Sequence, residues 1–159
     1  MASKKLLPTR LGRAAAAVTA MAFIAVLGSA TTASAGASCS IAGCSSSVND
    51  TSLGATALKN WCRGGDSTGA WTATQPTCKS DNVSQTTYYL SSGGGHTPYS
   101  EDWDTLRIDA GWCYKVKFVI DLAPDFTKTY DRRGTTAAWV KAADNADAHV
   151  IGQSSSSCP

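Results

Sequence analysis

The chain has 159 residues, with 14 Lys or Arg against 12 Asp or Glu, for a formal charge of +2. Four of the basic residues, Lys4, Lys5, Arg10 and Arg13, lie within the first 35, so the remaining 124 residues carry ten basic and twelve acidic groups. That balance excludes the electrostatic footprint of a nucleic-acid or anionic-membrane binder, and the length bounds the chain to one domain with its own core.

Residues 1–35 read as a secretory signal peptide. The four cations form its basic start, Ala14 to Leu27 is the apolar run, and Ala33-Ser34-Ala35 is the small-residue cleavage signature. The expected mature protein begins at Gly36 and meets oxidising conditions outside the cell. No other apolar stretch reaches the ~20 residues of a membrane span. The sequence therefore predicts a secreted, extracellular protein with no membrane anchor.

Residues 36–50 are small, polar and serine-rich around Cys39 and Cys44. With no apolar period, they predict an extended arm ahead of a domain over 51–159. In Thr51 to Trp61, Leu53, Ala57, Leu58 and Trp61 fall at spacings compatible with a short helix, against the weight of Gly54 and the threonines. Arg63-Gly64-Gly65-Asp66 is a turn. Ala70 to Thr74 and Gln85 to Ser91, rich in Thr, Tyr and Trp, predict strands.

The clearest pattern runs from Thr105 to Asp121. Leu106, Ile108, Ala110, Trp112, Tyr114, Val116, Phe118 and Ile120 occupy every even position. Strict alternation places one face in a core and the other toward water. The run is too long for one ordinary strand, so a bend is expected at Ala110-Gly111. After a turn at Ala123-Pro124-Asp125, Phe126 to Tyr130 and Thr135 to Lys141 predict strands joined by the turn Asp131-Arg132-Arg133-Gly134. Asp144 to Asp147 turns the chain into a last strand, Ala148 to Gln153. About seven short strands with no βαβ rhythm predict a disulfide-stapled antiparallel β-sandwich.

All six cysteines, Cys39, Cys44, Cys62, Cys78, Cys113 and Cys158, follow the signal segment. An even set allows fifteen connectivities. Zinc is the rival reading, but no C-x-x-C pair occurs, and His96 and His149 lack partners at ligand spacing. Loop size favours pairing Cys39 with Cys44, Cys62 with Cys78, and Cys113 with Cys158.

The chemically richest stretch is the loop from Ser91 to Asp104, with three glycines, His96, Glu101, Asp102, Trp103 and Asp104. His96 oriented by Asp102 or Asp104 would suit a serine nucleophile. No G-x-S-x-G elbow marks such a serine, however, and a long surface loop over Trp103 explains the same residues. The paired carboxylates would suit glycoside cleavage, sugar binding beside Trp and Tyr, or calcium, although the EF-hand spacing is missing. Arg132-Arg133 reads as a charged hairpin tip or as a carboxylate-binding pair. Of Trp61, Trp71, Trp103, Trp112 and Trp139, most should be core, and any left exposed would mark an interface.

The stretch T-P-Y-S-E-D-W-D-T-L-R-I-D-A-G-W-C-Y at 97–114, with Y-D-R-R-G at 130–134, resembles small secreted disulfide-bonded proteins of Streptomyces and relatives. The leader, size and cysteines also resemble the adaptor subunit of the umbrella toxin particles those bacteria secrete. There, a small protein joins a large repeat-bearing toxin chain to a lectin-bearing subunit with a trypsin-like domain. The resemblance implies secreted protein partners and no catalytic residue. The sequence thus predicts a non-catalytic protein-binding module without metal or cofactor. Its partner-binding candidates are Ser40 and Ile41 on the arm, Asp102, Trp103 and Asp104 in the loop, and Arg132 and Arg133. A secreted protease inhibitor and a carbohydrate or cell-wall binding module are the alternatives.

Overall fold

The computed structural model describes residues 39, 43–80 and 82–159. The expected signal peptide and the arm residues Ser40 and Ile41 lie outside them. Ten strands follow in chain order: β1 (Ser46–Asn49), β2 (Ala55–Leu58), β3 (Trp71–Thr72), β4 (Thr87–Leu90), β5 (Gly95–His96), β6 (Thr105–Ile108), β7 (Cys113–Ile120), β8 (Phe126–Asp131), β9 (Ala138–Lys141) and β10 (Ala146–Ser154). They form two five-stranded sheets, ordered β5-β1-β10-β7-β8 and β3-β9-β6-β2-β4. The chain is mostly β, and no helix occurs among the described residues.

The alternating stretch dictates this arrangement. Leu106, Ile108, Tyr114, Val116 and Phe118 are all at most 1 % exposed, while Arg107, Lys115 and Lys117 between them are half-buried on the other face. The bend falls at Gly111, whose φ of +81° suits glycine. The bend sends β6 into one sheet and β7 into the other, so both sheets feed one core cluster, with Ala57, Leu106 and Val140 from one and Val116, Phe118 and Val150 from the other. Each fully buried aliphatic or aromatic side chain stabilises by roughly 1.5–3 kcal/mol.

The structure corrects four expectations about the strands and a fifth about a turn. Ten strands replace about seven. The sheets are not wholly antiparallel, because β1 runs parallel to β10, with Ser46 beside Asp147. The segment compatible with a helix forms β2 instead, paired on both sides by β4 and β6, and ladder bonds along both edges outweigh a weak helical spacing. The end of the expected arm is a buried strand, β1, held between β5 and β10. Three of its four concealed side chains are polar, Val48 being the exception, so no apolar period announced them. Asn49 shows how they are satisfied: its Nδ2 donates to the carbonyls of Leu53 at 2.6 Å and Ser91 at 3.0 Å.

The turn at Asp131–Gly134 joins β8 to β9, which lie in different sheets, so it is a crossover and not a hairpin tip. The hairpin proper joins β7 to β8. All three disulfides pair as loop size suggested, Cys39–Cys44, Cys62–Cys78 and Cys113–Cys158, leaving no free cysteine. Three disulfides are consistent with an extracellular protein, and no helix among the described residues is long and apolar enough to cross a membrane.

Candidate functional site

The loop acids do not face solvent. Asp102 is 4 % exposed and Asp104 1 %, and both turn toward Ser45 at the start of β1. The Ser45 N–H and Oγ–H donate to Asp102 Oδ1 at 2.8 and 2.7 Å, and the hydroxyl also lies 3.1 Å from Asp104 Oδ1. Trp61 N–H approaches Asp104 Oδ2 at 3.4 Å. Carboxylate oxygens of Asp102, Asp104 and Asp144 all come within 4.8 Å of one another, and none of the three joins an ion pair among the described residues.

Buried carboxylates this close cannot all stay charged. Burial, then the neighbouring Asp102 charge, pushes Asp104 up to about 8, so near neutral pH it carries a proton. The oxygen set would suit a hard cation such as calcium; Ser45 serves Asp102 and Asp104, while Asp144 Oδ1 is buried with no hydrogen-bond partner among the described residues. Through Ser45 the pair ties the entry to β1 to the approach to β6. Trp103 is equally internal, at 3 % exposed. Lys59 Nζ lies 4.4 Å from its ring centroid, and Tyr88 meets it edge-on at 5.3 Å. The expectation that Asp102, Trp103 and Asp104 face a partner is therefore corrected, because they are core-facing groups.

His96 stands apart from these acids. Its Nδ1 lies 2.8 Å from the Thr97 carbonyl, and its ring stacks on Tyr99 at 4.2 Å. The hydrogen-bonded histidine–carboxylate pair of a catalytic triad is not formed at this loop.

The paired arginines are both committed to the protein. Arg133 grips Asp131 through Nε at 2.9 Å and Nη2 at 2.6 Å, and its Nη1 donates to the Ser156 carbonyl at 2.8 Å. That grip holds the Asp131 carboxyl down at about 2. Arg132 donates from Nε to the Thr136 carbonyl at 2.8 Å, and its guanidinium lies 4.9 Å from the Trp71 ring centroid. Arg132 therefore braces an aromatic rather than reaching freely into solvent.

That aromatic is the feature the sequence did not single out. Trp71 is 49 % exposed, because β3 is a two-residue strand at a sheet edge, paired to β9 alone. Separately, a cleft of about 280 Å³ is lined by Trp61, Cys62, Arg63, Thr72, Pro76 and Cys78 among others, with Trp71 outside its lining. The Cys62–Cys78 bridge forms one wall. Trp61, another lining residue, is fixed by its indole N–H donating to Asp66 Oδ2 at 3.2 Å, and Arg63 pairs with the same carboxylate at 3.1 Å. A largely apolar pocket with threonines in its lining can receive an apolar side chain from another molecule. The five tryptophans looked alike in sequence, and only the shortness of β3 separates Trp71 from the rest. No family model matches the chain, and neither curated proteins nor solved structures show significant similarity to it.

Proposed function

We propose that this chain is a secreted, non-catalytic protein-binding module. Specifically, it would act as an adaptor joining subunits of a secreted antibacterial toxin complex, of the kind its sequence resembles. The observation that carries this reading is the half-exposed Trp71, braced by Arg132 at 4.9 Å. Trp and Arg are the residues that most often anchor protein interfaces, and a rigid aromatic loses little entropy when it is covered. Asp102 and Asp104 of the 91–104 loop, by contrast, are buried, and His96 makes its hydrogen bond to the Thr97 carbonyl and not to either acid. A trypsin-like domain or a large toxin chain is the expected class of partner.

The test uses the mature chain as immobilised bait in culture medium, with captured proteins identified by mass spectrometry. Trp71→Ala should lower capture by about thirtyfold or more, as loss of an interface anchor does, with an unchanged circular dichroism spectrum. A folded Trp71→Ala protein that captures as well as wild type overturns the assignment. Inhibition of an isolated serine protease, or retention on polysaccharide, would move the function to the inhibitor or the carbohydrate-binding class.

A further inference from the structure

Leu122, at the tip of the β7–β8 hairpin, is the most exposed large apolar side chain among the described residues, at 107 %. Its φ of +60° lies in the left-handed region, which a bulky side chain occupies at a cost and glycine occupies freely. The tip is nonetheless well fastened. Asp121 N–H donates to the Asn145 carbonyl at 2.9 Å, Ile120 N–H to Asp125 Oδ1 at 3.3 Å, and Lys117 Nζ pairs with Asp125 at 2.9 Å. Pro124 restricts the chain further. A leucine is thus held out in water by a backbone that turn chemistry alone would fill with glycine or asparagine.

The surroundings of the tip are acidic. Asp121 and Asp125 flank it in sequence, and Asp147 on β10 sits opposite Val119 on β7. Of these three acids, only Asp125 has an ion-pair partner among the described residues.

We infer that Leu122 is a preformed plug for an apolar pocket rimmed by Lys or Arg on a folded protein partner. The inference rests on the protein-binding reading and adds a second contact to it. A pre-set backbone lowers the entropy lost on docking, and the acidic collar selects a basic rim. The same collar opposes docking on an anionic lipid surface or tip-to-tip on a second copy, where like charges would meet. The six residues of β8 separate this tip from Arg132, a span of roughly 20 Å. Contacts at opposite ends of one strand would let a small chain join two proteins.

The test places a photo-crosslinker in the full mature chain, as Leu122→p-benzoylphenylalanine or, separately, Trp71→p-benzoylphenylalanine. Both proteins are irradiated in culture medium and the joined peptides sequenced. Position 122 should join a partner peptide with apolar residues and neighbouring Lys or Arg, and its yield should fall severalfold at about 0.5 M salt. Leu122→Gly should lower capture about tenfold while raising the Tm by about 3 °C, since glycine relieves the left-handed backbone. These opposite signs separate docking from a structural role, which would lower both. Crosslinks at 71 but none at 122 overturn the plug and leave the binding module standing. Crosslinks at neither position overturn both. Joining to a second copy or to an acidic peptide, or wild-type capture by Leu122→Gly, also overturns the plug.

Discussion

Replacing Asp104 with Asn probes the buried carboxyl cluster at its most sensitive point. Asp104 holds its proton to about 8 in the folded chain, against 3.8 for an ordinary aspartate. Folding therefore takes up a proton between those values, and stability must fall as pH rises through that window. The contribution is fully present below about pH 4 and lost by about pH 8. The four units between them, at about 1.4 kcal/mol each, set a ceiling of roughly 6 kcal/mol. The carboxamide of Asp104→Asn would mimic the protonated acid, with its oxygen accepting from Ser45 and its amide donating toward Asp102. Asp144, also raised by burial, acts in the same direction. Asp131, held at about 2 by Arg133, titrates below the window. Thermal unfolding followed by circular dichroism at successive pH values from 4 to 8 is the assay. Wild type should lose up to about 4 °C per pH unit across the window, and Asp104→Asn should flatten this slope and exceed wild type at pH 8. A wild-type Tm that is flat from pH 5 to 8, or a variant less stable than wild type at pH 8, refutes the reasoning.

Three further outcomes test the fold. Val116 is 0 % exposed, so Val116→Asp buries an unpartnered charge and should abolish cooperative unfolding. Lys117→Asp, on the opposite face with a side chain 42 % exposed, should stay within about 1 kcal/mol of wild type by denaturant titration. Removing Cys113–Cys158, which spans 45 residues, should cost about 4 kcal/mol, against about 2 kcal/mol for Cys39–Cys44, which spans five. Urea midpoints of the double-alanine variants give the ratio, and equal losses would contradict it. Gly95→Ala should destabilise by more than about 1 kcal/mol, because a Cβ at Gly95 runs into the Ser91 backbone. A neutral result in the same titration would show that the loop yields.

The fold was legible wherever burial follows side-chain polarity. The alternation over 105–121 marked β6, β7 and the glycine bend because one face of each strand is apolar and buried. Loop size sufficed for the disulfides because Cys39–Cys44 and Cys62–Cys78 join residues close in sequence, which leaves Cys113 and Cys158 to pair across 45 residues. β1 was illegible because its concealed groups are mostly polar, and distant residues hold them: the Ser47 N–H donates to Thr97 Oγ1, Asn49 Nδ2 donates to the Ser91 carbonyl, and Ser45, just before the strand, donates to Asp102. β5 is two residues inside a glycine-rich loop, too short for any period. Asp102 and Asp104 were legible as a pair, but Ser45 lies 57 residues from Asp102, so their burial was not. Trp71 and Leu122 were missed for a common reason. Exposure of an apolar residue depends on where a sheet ends or a hairpin projects, and local sequence does not record either.

Whether this chain works by joining other proteins is tested most directly by native mass spectrometry of the mature chain, incubated in culture medium and isolated without denaturation. The expected result is a complex of fixed stoichiometry containing the chain and at least one different secreted protein, lost in Trp71→Ala. The chain emerging alone, as a monomer with its three disulfides and no bound partner, would contradict the protein-joining role.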